Sequence, residues 1–309
     1  MSQKHLTSHG FALFTILIWG TTFVATKVLL EDMSPIQILV YRFVLGYLAL
    51  WLLAPKPLRL TDRRQELWFA AAGVTGIAVY QMMENVALTM TTASNVGVII
   101  SSAPLFTGIA AMLVSRGKEK LKWGFYLGFL VSMVGIALIS YTGASEFQLD
   151  WRGDLLSVLA AVVWAVYSVI AQKLGTFGYP TIQSTRRMFF YALIAMIPMG
   201  ALTGFELDLS LMTDPAHLGS ICYLGLGASA LCFMTWNTAI QRLGTVQTTV
   251  YLYLSPVITV VCSIFVLSER VTWMSLLGIT LTLVGLVVSQ WGSVQGEKQE
   301  DTSCTESTL

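Results

Sequence analysis

A set of residues in the first half of the chain recurs in the second at nearly constant spacing, and the repeated unit holds an odd number of apolar runs. Trp19, Pro35 and Arg42 return as Trp164, Pro180 and Arg187, each 145 residues later. Asn85, Ala87 and Pro104 return as Asn237, Ala239 and Pro256, 152 later, and Trp123, Gly128 and Gly135 return as Trp273, Gly278 and Gly285, 150 later. Small drifts in spacing mean insertions in loops. With five spans per unit, the second copy must enter a bilayer from the opposite face, so the halves are expected to share a structure and to be inverted.

The runs are read against the roughly 20 residues needed to cross about 30 Å of hydrocarbon. Ten qualify, at about 10–30, 35–54, 67–88, 94–115, 122–142, 153–173, 183–204, 217–239, 246–267 and 273–292. The expected fold class is therefore an all-α membrane protein with ten transmembrane helices as two inverted five-helix repeats. Its parts are a cytoplasmic N-terminus (1–9), a first repeat (10–142), a second repeat (153–292) and a polar, disordered cytoplasmic tail (293–309). The chain is 55% hydrophobic and 11% charged, against roughly 25% charged in a soluble domain, so lipid is its natural solvent. The first run is too long for a signal peptide and no small-residue cleavage site follows it, so it is expected to be kept as a span. The narrowest gap lies between the third and fourth runs, at Thr89 to Thr92.

Basic residues set orientation. With the N-terminus inside, the inner segments hold Lys4, Lys56, Arg59, Arg63, Arg64, Arg116, Lys118, Lys120, Lys122, Lys173, Arg242 and Lys298, while the outer ones hold Lys27, Arg152 and Arg270. Glu31, Asp32, Glu146, Asp150, Asp154, Glu206, Asp208, Asp214 and Glu269 fall outside. Both termini are expected in the cytoplasm of a bacterium, with the chain in the inner membrane.

Several function classes fall away on inventory. Net charge is +1, with no basic face, so nucleic acid is not an expected partner. Cys222, Cys232 and Cys262 lie in apolar runs and Cys304 in the tail, which is no disulfide framework. The three histidines, His5, His9 and His217, sit near the chain start or an outer loop, so neither a metal cluster nor a catalytic triad is expected within the spans. No phosphate-binding glycine loop is present. No cofactor and no catalytic residue is expected, and any transport would run on gradients.

Trp19-Gly20-Thr21-Thr22-Phe23, Tyr41-Arg42-Phe43, Ala87-Leu88 through Thr91-Thr92-Ala93-Ser94, Pro104, then Gly128 and Gly135, and finally Glu269 with Trp273, Gly278 and Gly285, together resemble the EamA-type family of the drug/metabolite transporter superfamily. The resemblance covers nearly the whole chain and is carried by the ordered set in duplicate. It implies a ten-span inverted-repeat carrier of small metabolites, often an exporter of amino acids or related compounds, with a cavity lined mainly by spans one, three, four, six, eight and nine. The second copy departs at one place, where Trp19-Gly20-Thr21-Thr22 is matched by Trp164-Ala165-Val166-Tyr167.

Glu84 is the carboxylate lying well inside a run, and an ionisable group there costs at least about 2.5 kcal/mol at the bilayer centre unless paired or facing water. At roughly 1.5 Å per residue from Leu67 it sits about 25 Å across, nearer the outer interface. Its repeat counterpart is Trp236, so the acid breaks the symmetry. It is the candidate for proton coupling and substrate contact; the alternative is a structural partner for Arg42. Arg42 and Arg187, at matched positions, are the charged intramembrane pair: each could grip a substrate carboxylate, pair with an acid or snorkel to the interface. Asn85 and Asn237 are either cavity residues or helix-to-helix glue. Trp19, Trp164, Tyr167, Trp236, Tyr251, Tyr80 and Tyr253 would line or seal a cavity if they face inward. Pro104 and Pro256 should kink spans four and nine, the bending elements expected of two inverted halves. Gly124 and Gly128 in span five, with Gly278 in span ten, read as close-packing sites within the chain or in a homodimer.

The reading these features support is an alternating-access secondary transporter, an exporter of small metabolites, working among membrane lipids. An organic-phosphate or nucleotide-sugar carrier would instead need further cations in the cavity. A non-transporting membrane scaffold would have its cavity plugged.

Overall fold

The computed structural model describes residues 3–91, 93–115, 121–143, 151–258 and 273–294. Outside them lie Thr92, the loop cations Arg116, Lys118 and Lys120, the acids Glu146, Asp150 and Glu269, Arg270, Cys262 and Cys304, the far part of span nine and the tail from residue 295. The described residues form ten helical rods and no strand. In chain order these are α1 (Gln3–Leu29), α2 (Pro35–Leu53), α3 (66–90), α4 (93–114), α5 (Trp123–Gly143), α6 (Trp151–Gly175), α7 (Thr181–Thr203), α8 (Pro215–Leu243), α9 (245–258) and α10 (Trp273–Val294).

Local chemistry fixes the ends. Ser34 caps α2 by accepting from the Gln37 N–H while Gln37 returns the bond, and Pro35 sits where no donor is needed. Thr91 turns extended after Met90, so the narrow gap in the sequence does separate α3 from α4. The tight reversal from α8 to α9 passes through Gly244 at φ 82°, a conformation that favours glycine.

The prolines act as their chemistry requires. Pro104 has no N–H to offer Ile100, and α4 breaks there into Ala93–Ile100 and Ala103–Val114. Pro256 likewise cannot bond to Leu252, and α9 tightens to a 3-10 turn over Val250–Tyr253. Two further irregularities are π-helical, at Val74–Val79 in α3 and Tyr223–Leu231 in α8.

Packing follows the repeat. α1 lies on α8 and α6 on α3; α2 lies on α7, α4 on α9 and α5 on α10. Gly128 of α5 abuts Gly285 of α10, and Gly135 abuts Gly278, so each glycine meets the counterpart of the other across an antiparallel contact. That exchange is the pattern that two halves related by a two-fold axis would give. Added Cβ atoms would lie 2.4 Å from the Ser289 nitrogen at Gly128 and 2.6 Å from the Gly278 carbonyl at Gly135. Gly128 and Gly278 are thus occupied within one chain. Gly128→Leu is expected to wedge α5 from α10 and destabilise the fold by about 1–3 kcal/mol, read as an earlier thermal transition in detergent.

Four helices are long and apolar enough by themselves to cross a membrane, namely Leu6–Leu29, Pro35–Leu53, Trp151–Gly175 and Pro215–Leu243. Leucine, valine and isoleucine side chains on their outer faces and on α5, α7 and α10 point away from the bundle, while Arg42, Glu84, Asn85 and Asn237 are buried within it. An apolar exterior around a polar centre suits a multi-pass membrane protein. One end of the bundle exposes Lys56, Arg59, Arg63 and Arg64; the other exposes Glu31, Asp32, Glu206, Asp208 and Asp214. They are called the basic and acidic ends below.

Candidate substrate cavity

α1, α2, α3, α4, α6 and α9 enclose a cavity lined by Trp19, Arg42, Tyr80, Gln81, Glu84 and Trp164 among others. Glu84 is six residues from the end of α3, and Arg42 seven from the start of α2. Both therefore lie roughly 10 Å inside the acidic end.

Helical spacing explains the acidic wall. Tyr80, Gln81 and Glu84 lie one turn apart and share a face of α3. Glu84 is 5% exposed, within hydrogen-bonding reach of Tyr80 and electrostatic reach of Arg42. Arg42 is 2% exposed. It does not snorkel, because its Nε donates to Ser229 at 3.0 Å and one terminal nitrogen to Gln81 at 2.9 Å. A buried guanidinium and carboxylate face one space, each supported by neutral polar neighbours, and together they can hold a solute bearing one negative and one positive group. Thr22, Ser101 and Ser255 add hydroxyls to the lining. At Gly97 an added Cβ would meet nothing within 4 Å, so the cavity is open above that backbone.

Aromatic rings floor the cavity on the side of the basic end. Trp19 packs on Trp164 at 5.4 Å between ring centres, on Trp236 at 5.1 Å and on Phe233 at 5.5 Å. Tyr80 reaches Trp164 at 4.7 Å. Gly20 lets α1 approach α9, since a Cβ there would lie 2.8 Å from Ile258; Ala165 carries a Cβ at the matching place in the second copy.

Beyond the floor the halves are tied together. Thr15 bonds Thr235 at 2.7 Å, and His9 bonds Tyr251 at 2.8 Å. Within the second half, Tyr167 donates to Asn237 at 2.7 Å, and Asn237 donates on to Thr185 at 3.2 Å. Arg187 grips both carboxylate oxygens of Glu66, which also accepts from Tyr191. Arg186 holds the carbonyls of Ala54 and Lys56 beyond α2.

Of the residues singled out in the sequence, Trp19, Tyr80, Glu84 and Trp164 line the cavity, and Arg42 joins them. Asn85, Tyr167, Trp236, Asn237 and Tyr251 do not. Asn85 is turned to α2, donating to the Pro35 carbonyl at 3.2 Å. Tyr167 and Asn237 are held by each other, Tyr251 by His9, and Trp236 is buried in the floor. Arg42 and Arg187, expected to have matched roles, differ because Glu66 of the first copy stands beside Arg187, whereas its counterpart 152 residues on in the second copy is Leu218, and Arg42 is held by Ser229 and Gln81 instead. Sequence reasoning passed over Gln81, Thr22, Ser101, Ser255 and Gly97. Thr22, three residues after Trp19, and Gln81, three before Glu84, could have been found from helical spacing.

Residues 6–141 and 151–290 each match the EamA-like transporter family. An uncharacterized transporter from Archaeoglobus fulgidus is 24% identical over 91% of this chain and 96% of its own. A protein from Streptantibioticus cattleyicolor called a "probable terminal-alkyne amino-acid exporter" is 26% identical over 89% and 90%. A crystal structure 19% identical in sequence superposes with a TM-score of 0.75 over 92% of this chain and 96% of that one, a likeness of fold.

Proposed function

Since the chain belongs to the EamA-like transporter family, we propose that it is a secondary transporter that exports small zwitterionic metabolites, amino acids or close relatives, by alternating access. In this reading all ten helices cross the inner membrane as two inverted repeats, residues 10–142 and 153–292, with both termini in the cytoplasm and the acidic end outside. The observation that carries the substrate class is Arg42 and Glu84 lining one cavity. A carboxylate binds the guanidinium, and an ammonium group binds the acid. The relative named for amino-acid export supports the same class.

Organic phosphates and nucleotide sugars fit less well. Among the described residues Arg42 is the cation lining the cavity, and Arg187 is committed to Glu66. A scaffold without transport fits less well too, because it would have no use for two buried charged side chains, Arg42 and Glu84, lining one cavity.

Glu84 also provides a route for proton coupling. Protonation would remove the charge that holds the ammonium group, so one carboxylate would carry either a proton or the solute. The test is counterflow of a labelled amino-acid and metabolite panel in proteoliposomes, with and without a pH gradient. Saturable, pH-dependent exchange of a zwitterion by the unaltered chain that Glu84→Gln loses or strongly weakens supports the reading; no exchange of any zwitterion by the unaltered chain overturns it.

A further inference from the structure

The π-helical segments of α3 and α8 are related by the internal repeat. In α3 the Tyr80 N–H reaches back five residues to the Thr75 carbonyl; in α8 the Cys232 N–H reaches back to Gly227, and also to Ser229. Tyr80 and Cys232 are 152 residues apart, as are Thr75 and Gly227. Each segment therefore withdraws the ordinary helical donor from the carbonyl that Tyr80 or Cys232 would otherwise reach, Gly76 in α3 and Ala228 in α8.

The two halves then differ. Trp19 Nε1 donates to the Ala228 carbonyl at 2.9 Å. Its counterpart Trp164 is 2% exposed and lines the cavity, yet its Nε1 has no hydrogen-bond partner among the described residues. A buried donor without an acceptor is costly, and is usually met by a ligand, by water or in another state. Trp236 also carries such an N–H, but it does not line the cavity and its counterpart is Glu84, so no reciprocal partner exists for it.

We infer that Trp19 and Trp164 are reciprocal latches. In the state described here Trp19 holds the α8 π-segment, and Trp164 offers its indole N–H to an acceptor oxygen of the solute. In the opposite-facing state Trp164 takes the Gly76 carbonyl, and the Trp19 N–H is released to the solute. The inference rests on the alternating-access reading, because inverted halves exchange conformations as the cavity changes sides. Their ring contact places the two residues together between the halves, where such an exchange can be made.

The test uses cysteine accessibility in full-length protein whose native cysteines are replaced. Gly97→Cys reports the cavity seen here. Thr249→Cys, at the repeat-related position and fully buried, reports the opposite one. Ser132→Cys, buried between α5 and α10, gauges general loosening, against which the other two rates are read. Trp19→Phe is expected to slow maleimide modification at Gly97→Cys and speed it at Thr249→Cys by about fivefold, and Trp164→Phe to do the reverse. If both tryptophan variants move the ratio the same way, or neither moves it, the latch is overturned while alternating access stands. If Thr249→Cys stays unreactive in every background, alternating access itself fails and takes the latch with it.

Discussion

Arg42→Met is expected to abolish saturable transport and to destabilise the protein by about 3–5 kcal/mol, the usual cost of stripping one partner from a buried charge pair. The guanidinium is fully enclosed, with donors placed on Ser229 and Gln81 and its charge beside Glu84. Removing it leaves an uncompensated carboxylate in a site remote from bulk water. Pairing it with Glu84→Gln should therefore restore most of the lost stability without restoring transport, since the double variant has no charge left to hold either end of a zwitterion. Thermal melting and counterflow of the two single variants and the double variant check this. Equal stability losses that simply add would show that the charges do not feel each other.

Gly97→Phe is expected to reduce transport to background while leaving the melting temperature nearly unchanged. Several glycines of this bundle are pressed against backbone; at Gly73 an added Cβ would lie 2.3 Å from the Met188 carbonyl. Gly97 meets nothing within 4 Å, and the space above it is the cavity. A ring there occupies the volume a solute needs without displacing the packed core. The contrast with Gly128→Leu is the check: one variant is stable and inactive, the other destabilised through the α5–α10 contact. A Gly97→Phe protein that transports normally would show that solute does not pass this cavity.

Much of the architecture was legible because membrane constraints are coarse. Apolar run length marked the ten rods, and duplicated Trp, Pro, Arg and Gly positions marked the two halves. The prolines were readable to within a turn, since a missing N–H must interrupt the ladder at a known carbonyl. The cavity was only partly legible. Trp19, Glu84 and Trp164 stood out by size, charge or recurrence. Asn85, adjacent to Glu84, points elsewhere because one residue turns a helix by about 100°, and no single run reveals which way its neighbours lie. Gln81, Ser101 and Gly97 are ordinary residues whose importance comes from facing Arg42 and Glu84. Arg187 looked like the twin of Arg42 until Glu66, 121 residues away, was found beside it. The π-helical segments leave no mark in hydropathy, because an extra residue in a turn changes hydrogen bonding and not composition.

The most direct test of a site built for one negative and one positive group is competition binding with the amino acid that counterflow identifies. Its methyl ester lacks the carboxylate that Arg42 would hold, and its N-acetyl derivative lacks the ammonium that Glu84 would hold. Both are predicted to compete at least about a hundredfold more weakly than the parent, because each leaves a buried charge without its partner. An ester or an N-acetyl derivative that competes as well as the parent would contradict the account.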